Sequence, residues 1–460
     1  MNTEALDRSL MSGLAWTSLA KWGSQALSWA STLIVARLLT PEDYGLVGMA
    51  SVYLGLVTML SEFGLGTTIM ALRDLSDEQV AQLHGFAFLF GLAGFAVSCL
   101  IARPLGTFFH SAELPPVVIV MSVAFIVTSF RIVPGALLRR ELRFRDLAIV
   151  DAVSAVVLSV VMVAFAWFGF RYWTLVIGGL LSSSLATAQI LWLRRQRMAI
   201  PRTATLQHSM TFSKHILASR LSWYAYSNAD FVVAGRLLGK AALGVYDFAW
   251  TLANVPIEKI TVLIGQVTFP IFSAVQNEPA EMRRYLLRLT EGLALLTFPA
   301  SFGMALVAPD FVLLFLGPKW HDAILPLQLL AVFVGFRSVV PMYSQVLNVV
   351  GESRFAMYNS LLAALVMPAS FYFMCTRWGT AGLAAAWIVA YPLLALMMYV
   401  RVAECIALPT RQYLGALWPA LSSTIVMCGA VLGVRFMTMG LRSPGLHLAL
   451  EVATGALAYA

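Results

Sequence analysis

Long, unbroken apolar stretches follow one another along this chain, separated by short polar connections. A membrane-crossing helix needs about 20 mostly apolar residues. By that measure there are fourteen candidates: 13–39, 44–70, 81–103, 115–138, 147–168, 172–193, 213–239, 243–275, 286–308, 323–350, 355–376, 380–401, 412–434 and 446–460. The last stops at Ala460 short of a full crossing, so the natural chain is expected to run further. Membrane β-strands would alternate apolar and polar positions, whereas these stretches are continuously apolar and of helical length. The longest connection, Arg194 to Phe212, leaves no room for a folded extramembrane domain. The expected fold is an all-α polytopic membrane protein whose function lies among its helices.

Composition agrees. The chain has 460 residues, 60% hydrophobic and 12% charged, with mean hydropathy +0.80. Soluble proteins carry about 25% charged residues, which excludes a soluble enzyme, a disordered scaffold and a secreted disulfide module. Cys99, Cys375, Cys405 and Cys428 are scattered, with no CxxC or Cys/His cluster, so neither a zinc site nor a disulfide framework is indicated. The net charge of +8 points to cytoplasmic loops and anionic lipid rather than nucleic acid in so apolar a chain. Met1 to Met11 lacks the basic-then-apolar pattern of a cleaved signal, so the first stretch is expected to remain as a helix.

Basic residues set the orientation. With the N-terminus in the cytoplasm, 17 of the 31 Lys and Arg fall on that side and 9 on the other. The strongest anchors are the runs Arg139–Arg145 and Arg194–Arg202. This bias predicts a cytoplasmic N-terminus.

An internal repeat organises the chain. Ile34-Val35-Ala36-Arg37-Leu38-Leu39, with Gly45 and Ala50, recurs 199 residues later as Val233-Ala234-Gly235-Arg236-Leu237-Leu238, with Gly244 and Ala249. The same offset pairs Lys21 with Arg220, Ser28 with Ser227 and Ser31 with Asp230. A second echo joins Phe130-Arg131-Ile132-Val133-Pro134 to Phe336-Arg337-Ser338-Val339-Val340-Pro341. Six stretches separate the copies, so both halves run the same way through the membrane. The expected organisation is two parallel-repeat six-helix lobes, 1–198 and 199–405, followed by two extra helices in 406–460. Parallel repeats about an axis along the membrane normal are a transporter architecture, with substrate between the lobes.

Five cations sit inside apolar stretches: Lys21, Arg131, Arg220, Lys259 and Arg337. Each costs about 2.5–3.5 kcal/mol at mid-bilayer if left facing lipid, so each should face a wet cavity or find a partner. Lys21, Gln25, Ser28 and Ser31 share one helix face, and Arg220, Tyr224, Ser227 and Asp230 form the repeat-related stripe. Two such stripes facing inward would make a central aqueous cleft with a cationic mouth, suited to an anionic head group. The alternative is structural pairing, for instance Lys21 with Glu62, other cations with Glu258 and Glu291, or snorkelling of long side chains. Pro134 and Pro341 are candidate bends for rocking lobes, although proline is common in membrane helices. Trp16, Trp22, Trp29, Trp223 and Tyr226 could stack on sugars or anchor helices at the lipid boundary.

No GxxxxGK[ST] phosphate loop is present. Gly235 to Ala241 comes nearest, but is one residue short between its glycines and lacks the Ser/Thr. ATP is therefore not the expected driver. There is no HExxH, GxSxG or paired-carboxylate loop, and the six histidines are dispersed. No catalytic residue, metal or cofactor is expected.

Three strings carry a family resemblance. They are Val35-Ala36-Arg37-Leu38-Leu39-Thr40-Pro41-Glu42-Asp43-Tyr44-Gly45; Ser61-Glu62-Phe63-Gly64-Leu65-Gly66; and Asn228-Ala229-Asp230 through Gly235-Arg236-Leu237-Leu238-Gly239 to Leu243-Gly244-Val245-Tyr246. With these the chain resembles the Wzx-like polysaccharide (O-antigen type) flippases of the multidrug/oligosaccharidyl-lipid/polysaccharide (MOP) exporter superfamily. Within them it is similar to the lipopolysaccharide biosynthesis exporters that handle colanic or teichuronic acid. The resemblance covers about residues 10–405. It implies a V-shaped pair of six-helix lobes that flips an undecaprenyl-pyrophosphate-linked oligosaccharide from the cytoplasmic to the periplasmic leaflet of the bacterial inner membrane. It also implies that cavity cations hold the pyrophosphate, for which Lys21, Arg220, Arg131, Arg337 and Lys259 are the candidates. The family offers no invariant site motif against which to check them. The implied partners are the lipid-linked substrate, membrane lipids, a polysaccharide polymerase with its export machinery, and a coupling ion, H+ or Na+. The two extra stretches resemble the fourteen-helix members.

Two other classes compete. A cation-coupled multidrug antiporter or a peptidoglycan-precursor flippase would share the architecture, but a drug antiporter calls for an acidic cleft. A membrane glycan polymerase or acyltransferase calls for a sizeable periplasmic loop bearing Arg or His, and none occurs.

Overall fold

The computed structural model describes residues 23–61, 69, 76–201, 214–438 and 443–459. Lys21 and Glu62 lie outside the described residues, as does the side chain of Arg220. Among the described residues every regular element is helical, and the chain is an all-helical membrane protein. Eight helical stretches are long and apolar enough to cross a bilayer by length and composition. Where they are described, the fourteen predicted stretches fall on helix apart from their ends and a break at 338–340 within 323–350. Some of those helices are too polar to qualify on composition: the helix Lys214–Leu237 alone carries Lys214, Arg220, Asp230 and Arg236.

The chain forms two compact units, Met1–Lys214 and His215–Ala460. In the first, α1 (23–38) leads into α2 (Pro41–Ser61), α3 (Asp77–Phe108), α4 (Leu114–Arg140), α5 (Phe144–Trp167) and α6 (Trp173–Leu193). A capping box starts α3: Ser76 Oγ accepts from Gln79 N, and the Gln79 side chain accepts from Ser76 N. Helix α4 packs against α2, α3, α5 and α6. Its Val133, Ala136 and Leu137 meet Leu83 and Ala87 of α3, while Leu138 meets Val150, Ala186 and Ile190 of α5 and α6. Higher up, α3 and α4 nearly touch: a Cβ at Gly91 would stand 2.6 Å from the Phe125 carbonyl oxygen. Small residues permit this close approach where lipid supplies no hydrophobic drive.

The second unit holds α7 (Lys214–Leu237), α8 (Gly239–Ala274), α9 (Pro279–Phe311), α10 (Ile324–Arg337), α11 (Pro341–Val349), α12 (Ser353–Cys405), α13 (Thr410–Met437) and α14 (Pro444–Tyr459). Helix α12 is two arms meeting at Gly379, whose φ of 58° suits glycine. These arms are the separate stretches 355–376 and 380–401. Helix α9 runs through the core against α8, α10, α13 and α14, so the two helices outside the repeat pack within this unit. The prolines of the second echo are used differently: Pro134 lies inside the continuous α4, whereas Pro341 opens α11 after a break at 338–340.

The repeat is visible in burial. Val35 and Ala234, Leu46 and Val245, and Ala50 and Ala249 are buried pairs at the 199-residue offset, while Arg37 and Arg236 are both exposed. Ser31 and Asp230, also paired by the offset, are both buried but differ in chemistry.

Candidate functional site

The predicted residues fall in different surroundings. In the first unit Gln25 and Ser28 are half-buried on α1, and buried Ser31 donates its hydroxyl to the Ser159 carbonyl of α5 at 3.1 Å. Arg131 is half-buried on α4. In the second unit Lys259 is exposed on α8, and Tyr224 is half-buried on α7. Ser227 and Arg337 come together at one cavity, with Asp230 close behind its wall.

That cavity, about 230 Å³, lies within the second unit. Helix α7 contributes Trp223, Tyr226 and Ser227, α8 contributes Trp250, and α12 contributes Asn359, Trp387 and Tyr391. Arg337, at the C-terminal end of α10, brings the positive charge. Its guanidinium stands 5.5 Å from the Trp250 ring centroid, and Nη1 donates a long 3.4 Å hydrogen bond to Asn254 Oδ1. Among the described residues no carboxylate lies within ion-pair distance of Arg337. The Oδ1 atom of Asn359 is buried and accepts no hydrogen bond among them. The cavity therefore offers a charged donor fork, an unused acceptor and indole faces.

Aromatic rings pack against one another along the wall. The Trp387 ring sits 5.3 Å from Trp250 and 5.0 Å from Phe333, and Tyr391 closes edge-on at 5.3 Å from Phe333. Beneath it lies Asp230, fully buried. Its Oδ2 accepts from the Tyr246 hydroxyl at 2.7 Å and from Trp387 Nε1 at 2.9 Å, and its Oδ1 accepts from Phe231 N at 3.0 Å. A buried carboxylate is tolerable when its lone pairs are filled this way. The helical stripe on α7 thus turns Ser227 toward the cavity and Asp230 into a buried hydrogen-bond network that joins α7, α8 and α12.

Asn359, Trp250, Trp387 and Tyr391 were not legible as site residues. The three aromatic positions carry a faint signal in the i, i+4 pairs Tyr246/Trp250 and Trp387/Tyr391, each of which puts two rings on one helix face. Chemically, a guanidinium binds phosphate oxygens through its planar fork, and aromatic faces with a free amide suit a polar ring.

Residues 34–325 match the family model described as "Polysaccharide biosynthesis protein". The chain is 26% identical over 338 residues to the lipopolysaccharide biosynthesis protein WzxC of Escherichia coli (strain K12), covering 73% of this chain and 69% of the relative. It is 24% identical over 465 residues to the teichuronic acid biosynthesis protein TuaB of Bacillus subtilis (strain 168), covering 99% and 95%. Among solved structures, the lipid II flippase MurJ in an inward closed conformation shares the fold, with TM-score 0.78, 12% identity and 97% of each chain covered.

Proposed function

We propose a function from one premise, that the chain belongs to the polysaccharide biosynthesis protein family: it is a secondary transporter that flips a lipid-linked oligosaccharide. In the finer reading the substrate is an undecaprenyl-pyrophosphate-linked repeat unit. It crosses from the cytoplasmic to the periplasmic leaflet of the bacterial inner membrane for O-antigen or exopolysaccharide export. That reading includes a cytoplasmic N-terminus, fourteen spans, lobes 1–198 and 199–405 with the appendage 406–460, and coupling to H+ or Na+. A polymerase and export machinery would take the product. Lys21, Arg131, Arg220 and Lys259 belong to the same reading as further pyrophosphate contacts. Gln25, Ser28, Ser31, Glu62, Tyr224, Ser227 and Asp230 serve in it as polar or coupling positions.

The observation that carries it is Arg337, a half-buried cation in an aromatic cavity with no acidic partner among the described residues. A pyrophosphate supplies the missing negative charge, and the indole and phenol rings around it suit sugar faces. A lipophilic cation would meet the wrong charge at this site, which separates the reading from a drug antiporter.

The test is Arg337→Gln in cells lacking the wild-type copy. Loss of one charge-assisted contact, about 1.5–3 kcal/mol, should lower surface polysaccharide at least ~10-fold while protein abundance holds and lipid-linked intermediate accumulates. Unchanged polymer output from Arg337→Gln would remove the cavity from the transport path.

A further inference from the structure

The two helices outside the repeat carry charged groups that neither the fold nor the transport reading uses. Helix α14 presents His447 and Glu451 one turn apart, an i, i+4 spacing that puts both on one face. They meet Asp310, near the C-terminal end of α9, and Arg435, near the end of α13. His447 is one of six dispersed histidines, and Asp310 belongs to a helix far from it in the chain.

The geometry is that of a ligand set. His447 Nδ1 stands 3.4 Å from Asp310 Oδ2 and 3.6 Å from Glu451 Oε1, and all three atoms lie within 4.8 Å of one another. A tetrahedral ion with bonds of about 2.0–2.1 Å holds its ligand atoms about 3.4 Å apart. The Glu451 side chain is 0% exposed. Both of its oxygens, and Asp310 Oδ2, are buried and accept no hydrogen bond among the described residues. Orphaned carboxylate oxygens are costly away from water, and here they converge on one point together with an imidazole nitrogen.

Charge points the same way. Arg435 lies 3.7 Å from each carboxylate, beyond hydrogen-bond range, and its Nη1 donates instead to the Leu306 carbonyl at 3.2 Å. Two carboxylates against one guanidinium leave a net negative pocket when the imidazole is neutral. A cation resolves it.

We propose that Asp310, His447 and Glu451 bind a divalent first-row metal ion of the Zn2+ or Mn2+ type. One imidazole with two carboxylates is a borderline-hard donor set that suits such ions. The ion clamps α14 to α9, with Arg435 of α13 as an outer partner that partly offsets the carboxylate charge. This gives the appendage a role: a metal-closed latch on the second unit, independent of which substrate the transporter moves.

The experiment uses the full-length protein in detergent, stripped with a chelator and titrated with Co2+, Zn2+ or Mn2+ alone. The expected result is one ion per chain by elemental analysis, a ligand-field spectrum with Co2+, and a raised Tm. His447→Ala and Glu451→Gln should each weaken binding at least ~10-fold, the lower end of what loss of even an outer-shell partner costs. Three results overturn the proposal: no stoichiometric ion on the wild-type chain; unchanged affinity in His447→Ala; or a Tm that lowering the pH raises and added metal does not, which would make the cluster a proton-charged ion network. The wild-type titration decides the matter even where a variant fails to fold.

Discussion

The indole nitrogen of Trp387 donates to the carboxylate of Asp230 at 2.9 Å, joining residues 157 positions apart. One side chain thereby does two things: its edge satisfies a buried acid and its ring helps line the cavity beside Arg337. Tyr246 completes the arrangement, 2.7 Å from the same oxygen and 3.0 Å from the same indole nitrogen.

Trp387→Phe separates those two duties. It keeps an aromatic surface but removes a donor to a buried carboxylate, which costs about 1–3 kcal/mol. Thermal unfolding in detergent should show a lowered Tm while polymer output in cells stays within a few-fold of wild type. Adding Tyr246→Phe should give a loss that is not the sum of the two, as expected of a shared network. An unchanged Tm in Trp387→Phe would mean that the bond contributes nothing to stability.

The pairing of Arg337 with Trp250 makes a different prediction. A guanidinium stacks on an indole in a way that an ammonium does not reproduce, and such a contact is worth about 0.5–2 kcal/mol. Arg337→Lys should therefore retain part of the activity that Arg337→Gln loses, and Trp250→Leu should weaken the wild type more than it weakens Arg337→Lys. A double-mutant cycle on transport rate reads this coupling directly. Additive effects would place the Trp250 ring in the wall without a part in orienting the cation.

Much of the fold was legible because its signals are long and local. Continuous apolar runs marked the helices, and some positions related by the 199-residue offset, such as Ala50 and Ala249, are buried alike. The site was legible only in part. Periodicity assigns a residue to a helix face but not to a neighbour, so Ser227 and Asp230 shared a stripe yet met different surroundings. Asn359 and Trp250 reach the cavity from distant helices, and nothing local distinguishes either from an ordinary packing residue. Glu451 and Asp310 converge only through tertiary packing. In sequence, Thr40-Pro41-Glu42-Asp43 counts only as part of the family resemblance, and the structure shows it to be a helix start: Thr40 and Asp43 bond reciprocally in a capping arrangement, with Pro41 at the first helical position.

That last string yields a prediction about how the first unit is tied together. The Asp43 side chain is 2% exposed, against 59% for its ion-pair partner Arg171. Its Oδ2 accepts from Thr40 N at 3.0 Å and from the Thr40 hydroxyl at 2.9 Å, starting α2. Its Oδ1 accepts from Tyr172 N at 3.2 Å, at the turn between α5 and α6. The carboxylate therefore serves two turns at once, and Asp43→Ala leaves backbone donors at both without it, a cost of about 2–3 kcal/mol. The Arg171 contact is a single 3.5 Å approach by an exposed side chain, of a kind that contributes about 0–1 kcal/mol. Thermal unfolding should accordingly rank the variants with Asp43→Ala well below wild type, Asp43→Asn between them and Arg171→Ala close to wild type. Equal losses from Asp43→Ala and Arg171→Ala would make the ion pair, and not the backbone donors, the reason for the buried acid.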